Sequence, residues 1–155
     1  MQLRCSEDRA RIKYYFCLAL HAFSLGIMPS SSVSELIEGS PFVEMPLNGV
    51  FKYVLAEIVC KKSGSAEYFV RGDARASYHA DIFEPFESDL ASRAPHVNVR
   101  VLGGGRIRTN AQEKTVQVYG YSVAYGRGNH EKACDLIRAA PAFEAFEVTW
   151  SNDGY

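Results

Sequence analysis

The chain has 155 residues, of which 47% are hydrophobic, 23% charged and 12% aromatic, and its formal net charge at pH 7 is -1. These values are typical of one soluble globular domain and exclude a collagen-like, low-complexity or wholly disordered chain. The near-neutral balance argues against nucleic-acid partners and against binding to an anionic membrane, because both need a basic surface. The four cysteines are scattered without a Cys-x-x-Cys pair, so we expect a reduced, cytoplasmic protein without a disulfide framework.

The most apolar run of the chain lies at residues 14–28 and precedes a Ser-rich stretch at 30–40. The run is shorter than the roughly 20 residues of a membrane-spanning helix. No Ala-x-Ala-like cleavage site follows it, as a secretory signal would require. An amphipathic organelle-targeting helix is a further alternative. We interpret residues 1–48 as an N-terminal extension and linker that packs poorly, ahead of a secretory signal and, last, a membrane anchor.

Strands and helices alternate from Gly49 onward, and we place the folded domain at residues 49–155. Runs of β-branched and aromatic residues predict five strands, at residues 50–60, 67–70, 97–101, 115–119 and 146–150. The first two flank a turn at Gly64 and predict a hairpin. The third is followed by three consecutive glycines at 103–105, which we expect to form a flexible turn.

Two helices are predicted between these strands. Residues 77–92 carry apolar side chains near helical spacing, but Pro85 is tolerated only in a first turn, so we expect this helix to begin near Phe83. A second helix, which Asn129 could cap, is predicted by apolar residues at i, i+3, i+4 and i+7, namely Ala133, Leu136, Ile137 and Ala140. The order ββ-α-ββ-α-β predicts a single α/β domain, α+β in character, with a mixed β-sheet flanked by two main helices.

Two spacings that suggest known sites do not fit their chemistry. Cys5 and Arg11 match the Cys-x5-Arg spacing of thiol phosphatases, but Glu7 and Asp8 would place negative charge inside the phosphate-binding loop. His130 and Cys134, four residues apart, could form half of a zinc site, but the chain offers no second half. We therefore expect no metal site and no cofactor.

The charges are unevenly distributed along the chain. Residues 49–79 carry five basic and three acidic side chains, and residues 97–132 carry six and two. The segment between them, residues 80–96, carries one basic and four acidic side chains. If both basic segments faced one cleft, they would favour an anionic ligand smaller than a nucleic acid.

Several residues in these basic segments could contact such an anion. Arg106 follows the three glycines, where backbone amides and a guanidinium could approach an anion closely. The loop at 119–126 offers the hydroxyl of Ser122 and unpaired backbone N–H groups. Lys52 shares a strand face with apolar residues and could direct its ammonium at a ligand. His79, at a strand-to-helix junction, is the best candidate among the four histidines for a proton acceptor.

The same segments resemble the phosphohistidine phosphatase/Janus family. The resemblance runs from Gly49 to the C-terminal tyrosine and rests on motifs whose order and spacing match, at residues 49–55 (GVFKYVL), 70–72 (VRG), 78–82 (YHADI), 102–107 (LGGGRI), 118–126 (VYGYSVAYG) and 148–155 (VTWSNDGY). It implies a small, cytosolic, monomeric protein that hydrolyses the P–N bond of phosphohistidine in proteins without a metal or cofactor. Its partners would be phosphohistidine-containing proteins.

The resemblance also implies roles for individual residues. His79 corresponds to the general base that activates water, and Lys52 to the substrate-binding lysine. The loop residues that would hold the phosphoryl oxygens are Ser122, Val123 and Ala124. Arg106 would line the same site, with Arg71 and Ala80 as supporting positions. The alternative from a different class is a non-catalytic phospho-ligand-binding regulatory protein of the Janus type, associated with sex differentiation and development.

Overall fold

The computed structural model of the chain describes Val33, Ile37 and residues 39–154. These residues form one six-stranded mixed sheet with the strand order β1-β3-β2-β4-β5-β6. The strands are β1 (Val43–Glu44), β2 (Gly49–Cys60), β3 (Ala66–Asp73), β4 (Val97–Asn110), β5 (Thr115–Tyr119) and β6 (Glu147–Trp150). The helices are α1 (Ala80–Arg93) and α2 (His130–Ala139), and a short 3-10 turn follows at Pro141–Phe143. The predicted fold class and element order are confirmed, with β1 as an additional short strand.

The two helices cover opposite faces of the sheet, because alternate residues of a strand point to opposite sides. On one side, called the α1 face, Val54, Ala56 and Ile58 of β2 pack against buried residues of α1. On the other side, called the α2 face, Phe51, Tyr53 and Leu55 of the same strand pack against α2. One strand therefore contributes to both cores. Its even-numbered residues from 54 to 58 pack against α1, and its odd-numbered residues from 51 to 55 pack against α2.

The three glycines lie inside a strand, so the prediction of a turn at 103–105 is wrong. Strand β4 continues through them to Asn110, and its pairing with β2 shifts register between Leu55 and Ala56. Each glycine is required by a close neighbour: a Cβ on Gly103 would lie 2.6 Å from the carbonyl oxygen of Arg127, and one on Gly105 would lie 2.5 Å from that of Tyr119. Crowding by neighbouring backbone, rather than turn formation, explains this part of the sequence.

Helix α1 begins at Ala80, so the prediction of a start near Phe83 is also wrong. Pro85 lies inside the helix and lacks the N–H that would bond to the carbonyl of Asp81. Both residues are exposed, so water can reach that carbonyl. The helix continues through Pro85 because its other side buries Ile82, Phe83, Phe86 and Leu90. The predicted cap of α2 is confirmed, since the Asn129 side chain accepts a hydrogen bond from the Lys132 N–H at 2.9 Å.

Residues before Gly49 contribute to the core. Val33 and Ile37 are fully or almost fully buried against the α1-face core. Phe42 stacks on Phe69 with ring centroids 5.0 Å apart, and β1 pairs in parallel with β3. Most of residues 1–40 lie outside the described residues, including the apolar run at 14–28 and the pair Cys5 and Arg11. None of the helices described is long and apolar enough to cross a membrane.

The glycine run can be tested at Gly104. A Cβ there would collide with the carbonyl oxygen of Tyr53 and lie 2.9 Å from the His79 ring. We expect Gly104→Ala to lower the free energy of unfolding by about 1–3 kcal/mol, measured by urea denaturation. The control is Gly64→Asn, at a turn position with open space and a positive φ of 73° that Asn tolerates. Equal losses in the two variants would contradict the crowding argument.

The contribution of the segment before Gly49 can be tested at Ile37. Because its side chain is 3% exposed, Ile37→Ala should lower the free energy of unfolding by about 2–4 kcal/mol. Leu47 is 46% exposed, and Leu47→Ala should lower it by less than about 1 kcal/mol. If Ile37→Ala is as mild as its control, the segment does not stabilise the domain.

Candidate active site

His79 lies at the N-terminus of α1 with its ring against the sheet. The residue is 8% exposed, and its Nε2 atom lies 2.9 Å from the carbonyl oxygen of Gly105. A carbonyl oxygen only accepts, so in the neutral imidazole Nε2 carries the proton and donates it to this bond. The other ring nitrogen, Nδ1, is therefore unprotonated and able to accept a proton.

Lys52 and Arg106 lie beside this ring on the α1 face. They are directly paired across strands β2 and β4, two residues beyond Gly104 along β4 and therefore on the same face of the sheet. Burial lowers the pKa of His79 below its ordinary value of 6.5, and the charges of Lys52 and Arg106 lower it further, against the opposing effect of the hydrogen bond to Gly105. The imidazole therefore stays neutral, and available as a base, at neutral pH.

The loop after β5 presents backbone donors near this group. Ser122 and Gly126 exchange two backbone hydrogen bonds of 3.0 and 2.8 Å, which close a turn around three residues. The Tyr125 N–H donates to the Ser122 hydroxyl at 3.2 Å. The N–H groups of Val123 and Ala124 have no acceptor among residues 39–154. Two adjacent donors at the tip of a fixed turn can bind the oxygens of an anion.

Gly104 connects this loop to His79. Its N–H donates to the Gly126 carbonyl at 3.1 Å, and its own carbonyl accepts from the Gly128 N–H at 2.9 Å. The His79 ring lies on the α1 side of the same glycine, where a Cβ would be 2.9 Å from Cδ2. The His79 ring and the loop thus both contact Gly104, a residue of the central sheet. The structure brings together His79, Lys52, Arg106 and the loop at Ser122.

Ala80 and Arg71, the two supporting positions, differ in their surroundings. The N–H of Ala80, in the first turn of α1, makes no hydrogen bond within the described chain and lies next to His79. Arg71 is also on the α1 face, but its guanidinium lies 4.3 Å from the centre of the Phe86 ring and bonds to the carbonyls of Val70 and Phe42. Burial lowers the pKa of Arg71 to about 10. Its charge is engaged with the core and with Glu44, 3.5 Å away, rather than with His79.

A second buried histidine, His130, braces the loop from the α2 face. Its Nε2–H donates to the Gly120 carbonyl at 2.9 Å, and its Nδ1 accepts from the Tyr53 hydroxyl at 2.6 Å. Both ring nitrogens are occupied, so His130 does not serve as half of a zinc site with Cys134. No group of three or more metal-binding side chains occurs in the described part of the chain. This role of His130 is not among those predicted from the sequence, although a tyrosine inside the apolar strand β2 indicates a buried hydroxyl that needs a partner.

The arrangement combines three chemical functions at one place. His79 supplies a neutral base, Lys52 and Arg106 supply positive charge, and the tip of the Ser122 turn supplies backbone donors. Phosphoryl transfer is catalysed mainly by positioning and by stabilising negative charge. The site is therefore suited to activate a nucleophile against a bound phosphoryl group.

Comparison with known proteins gives concordant matches over the described domain. The model of the Janus/Ocnus family (Ocnus) matches residues 37–147. The human 14 kDa phosphohistidine phosphatase is 40% identical over 120 residues, which cover 74% of this chain and 93% of the human protein. The pig protein of the same name is 37% identical over a similar range, covering 74% of this chain and 92% of its own. Sex-regulated protein janus-A of Drosophila yakuba is 31% identical over 137 residues, or 88% of this chain and 98% of its own length.

The electrostatic coupling at His79 can be measured by NMR. Nitrogen shifts of the neutral ring should show the proton on Nε2 and a pKa below 6.5. Lys52→Met should raise the pKa of His79, because it removes a positive charge that disfavours the imidazolium ion. The pKa of His130, which is lowered by burial and by Arg127, should not change. A neutral ring protonated on Nδ1 would contradict the assignment of the base.

Proposed function

The chain belongs to the Janus/Ocnus family, and we propose that it is a protein-histidine phosphatase, which hydrolyses the P–N bond of phosphohistidine in proteins. The observation that carries this proposal is the hydrogen bond from His79 Nε2 to the Gly105 carbonyl. It leaves Nδ1 free as a base beside two cations and a turn with unpaired donors. The two mammalian relatives described above are named for this activity.

In the proposed reaction, His79 Nδ1 accepts a proton from a water molecule. The water oxygen attacks phosphorus in line with the P–N bond, and that bond breaks as the new P–O bond forms. The electron pair of the P–N bond remains on the substrate imidazole nitrogen, which takes up a proton from solvent, while His79 releases the proton it accepted to solvent and is neutral again. The products are histidine and inorganic phosphate, so one water is consumed and no oxidant or reductant is needed.

The other site residues would bind the phosphoryl group. The ammonium of Lys52 and the guanidinium of Arg106 would balance its charge, and the N–H groups of Val123 and Ala124 would bind its oxygens. The Ser122 hydroxyl and the Ala80 N–H are two further donors. We propose that these groups supply the positive charge of the site without a metal. A cytoplasmic location and a monomeric state, both implied by the family resemblance, stay predictions.

The second candidate is a non-catalytic regulatory protein that binds a phosphorylated ligand. The names of the Drosophila relatives, sex-regulated protein janus-A, favour considering it. Such a protein would need Lys52, Arg106 and the Ser122 loop to bind its ligand. Binding alone would not require a buried histidine with an unprotonated Nδ1, because no proton is transferred. The two candidates therefore differ in what His79 does.

Substitution of His79 separates the two candidates. We expect His79→Ala to slow release of phosphate from a phosphohistidine protein by about 100-fold or more, because a general base contributes at least this much. Binding of inorganic phosphate should change by less than about threefold. The control is His96→Ala, at an exposed turn, which should leave the rate unchanged.

The wild-type protein decides whether catalysis occurs at all. Its rate should fall as the pH is lowered through the pKa of His79, since protonated Nδ1 cannot accept a proton, and a chelator should leave it unchanged. If the wild type binds phosphate but releases none from a phosphohistidine protein, the non-catalytic candidate replaces the enzyme. Loss of activity on chelation would contradict only the metal-free part of the proposal.

A further inference from the structure

Helix α1 covers only part of the α1 face. It packs over Val54, Ala56 and Ile58 of β2, which are fully buried. Before Val54 the same face is uncovered: within the described residues no element packs over Val50, which is 48% exposed. The uncovered area begins at Lys52 and Arg106 and therefore adjoins the candidate active site.

The register identifies the side chains of this uncovered area. One row across the sheet is Lys52, Arg106 and Tyr119, and the next row out is Val50, Arg108 and Gln117. In the second row all three residues are exposed. Arg108 makes no hydrogen bond or ion pair with any residue in the part of the chain that is described. An exposed guanidinium without a partner therefore lies one row beyond the phosphate-binding cations.

The charges around this area favour an acidic partner. Asp73, paired with Lys52 from β3, is held by three hydrogen bonds from Arg75, two of them from its guanidinium. A further carboxylate, that of Glu113, lines a depression with Val50 and Arg108 at the far end of the face. The two rows that β2, β4 and β5 contribute to the uncovered area carry three cationic side chains, Lys52, Arg106 and Arg108, and no acidic one.

We propose that this uncovered area binds the polypeptide flanking the phosphorylated histidine, and that Arg108 selects an acidic residue in it. The inference rests on the proposed phosphatase function. A step of two residues along a strand is about 7 Å, which is also the length of about two residues of an extended peptide. An acidic side chain about two residues from the phosphohistidine could therefore reach Arg108 while the phosphoryl group lies at Lys52 and Arg106. Val50 and Gln117 would contact the intervening chain.

The test uses two synthetic phosphohistidine peptides that differ only in carrying Glu or Lys two residues from the phosphohistidine on both sides. The wild type should have a KM about fivefold lower for the Glu peptide, which corresponds to one exposed ion pair. Arg108→Glu should raise KM for the Glu peptide by at least that factor and remove or reverse the preference. Its kcat, and its kcat/KM for phosphoramidate, which has no flanking chain, should change by less than about twofold. The wild-type preference should weaken at high salt.

The matched control is Lys62→Glu, an exposed residue in the turn at the opposite end of β2, which changes the net charge by the same amount. It should leave the peptide preference intact. If Arg108→Glu and Lys62→Glu have equal effects, or if Arg108→Glu impairs phosphoramidate hydrolysis as much as peptide hydrolysis, the inference is wrong. If the wild type hydrolyses neither peptide nor phosphoramidate, the proposed function itself fails.

Discussion

Gly104 contacts both the loop after β5 and the His79 ring, so the geometry of the candidate site depends on this residue. Its N–H donates to the Gly126 carbonyl, and its carbonyl accepts from the Gly128 N–H. The His79 ring lies where a side chain at this position would be. A side chain at this position would separate the imidazole from the loop. The absence of a Cβ atom at Gly104 therefore allows the His79 ring to lie close to the loop, and the register shift after Leu55 directs that position toward α1.

In the proposed mechanism, Lys52 and Arg106 act on both the base and the substrate. In the free site, Lys52 and Arg106 disfavour a positive charge on His79, so the imidazole stays neutral. A phosphoryl group between those cations would offset their charge and raise the pKa of the imidazole toward its ordinary value. Nδ1 would then accept a proton more readily when a substrate is present than when the site holds only water. Substrate binding and the basicity of His79 would in this way be coupled through two side chains of one cross-strand pair.

The strands, the helices and the residues near the site could be predicted from periodicity and from the family resemblance, but their connection at Gly104 could not. Three adjacent glycines are typical of a turn, and only the neighbouring backbone at Tyr53, Tyr119 and Arg127 reveals that they lie in a strand. The local rule for Pro85 predicts too late a start of α1, because it leaves out the buried apolar side of the helix. The sequence does not distinguish Arg108 from other basic residues, because its position one row beyond Arg106 follows from pairing between strands.

His79 and His130 illustrate why a sequence could not assign their roles. Each is buried, and each donates Nε2–H to a backbone carbonyl, so local environment alone makes them look alike. They differ in the partner of Nδ1. On the α2 face, Tyr53 donates to the Nδ1 of His130 and leaves it no capacity for chemistry. On the α1 face, no hydrogen bond to Nδ1 of His79 is made within the described chain, and two cations lie beside it. The side of the sheet on which each histidine lies thus makes one a brace and leaves the other able to act as a base.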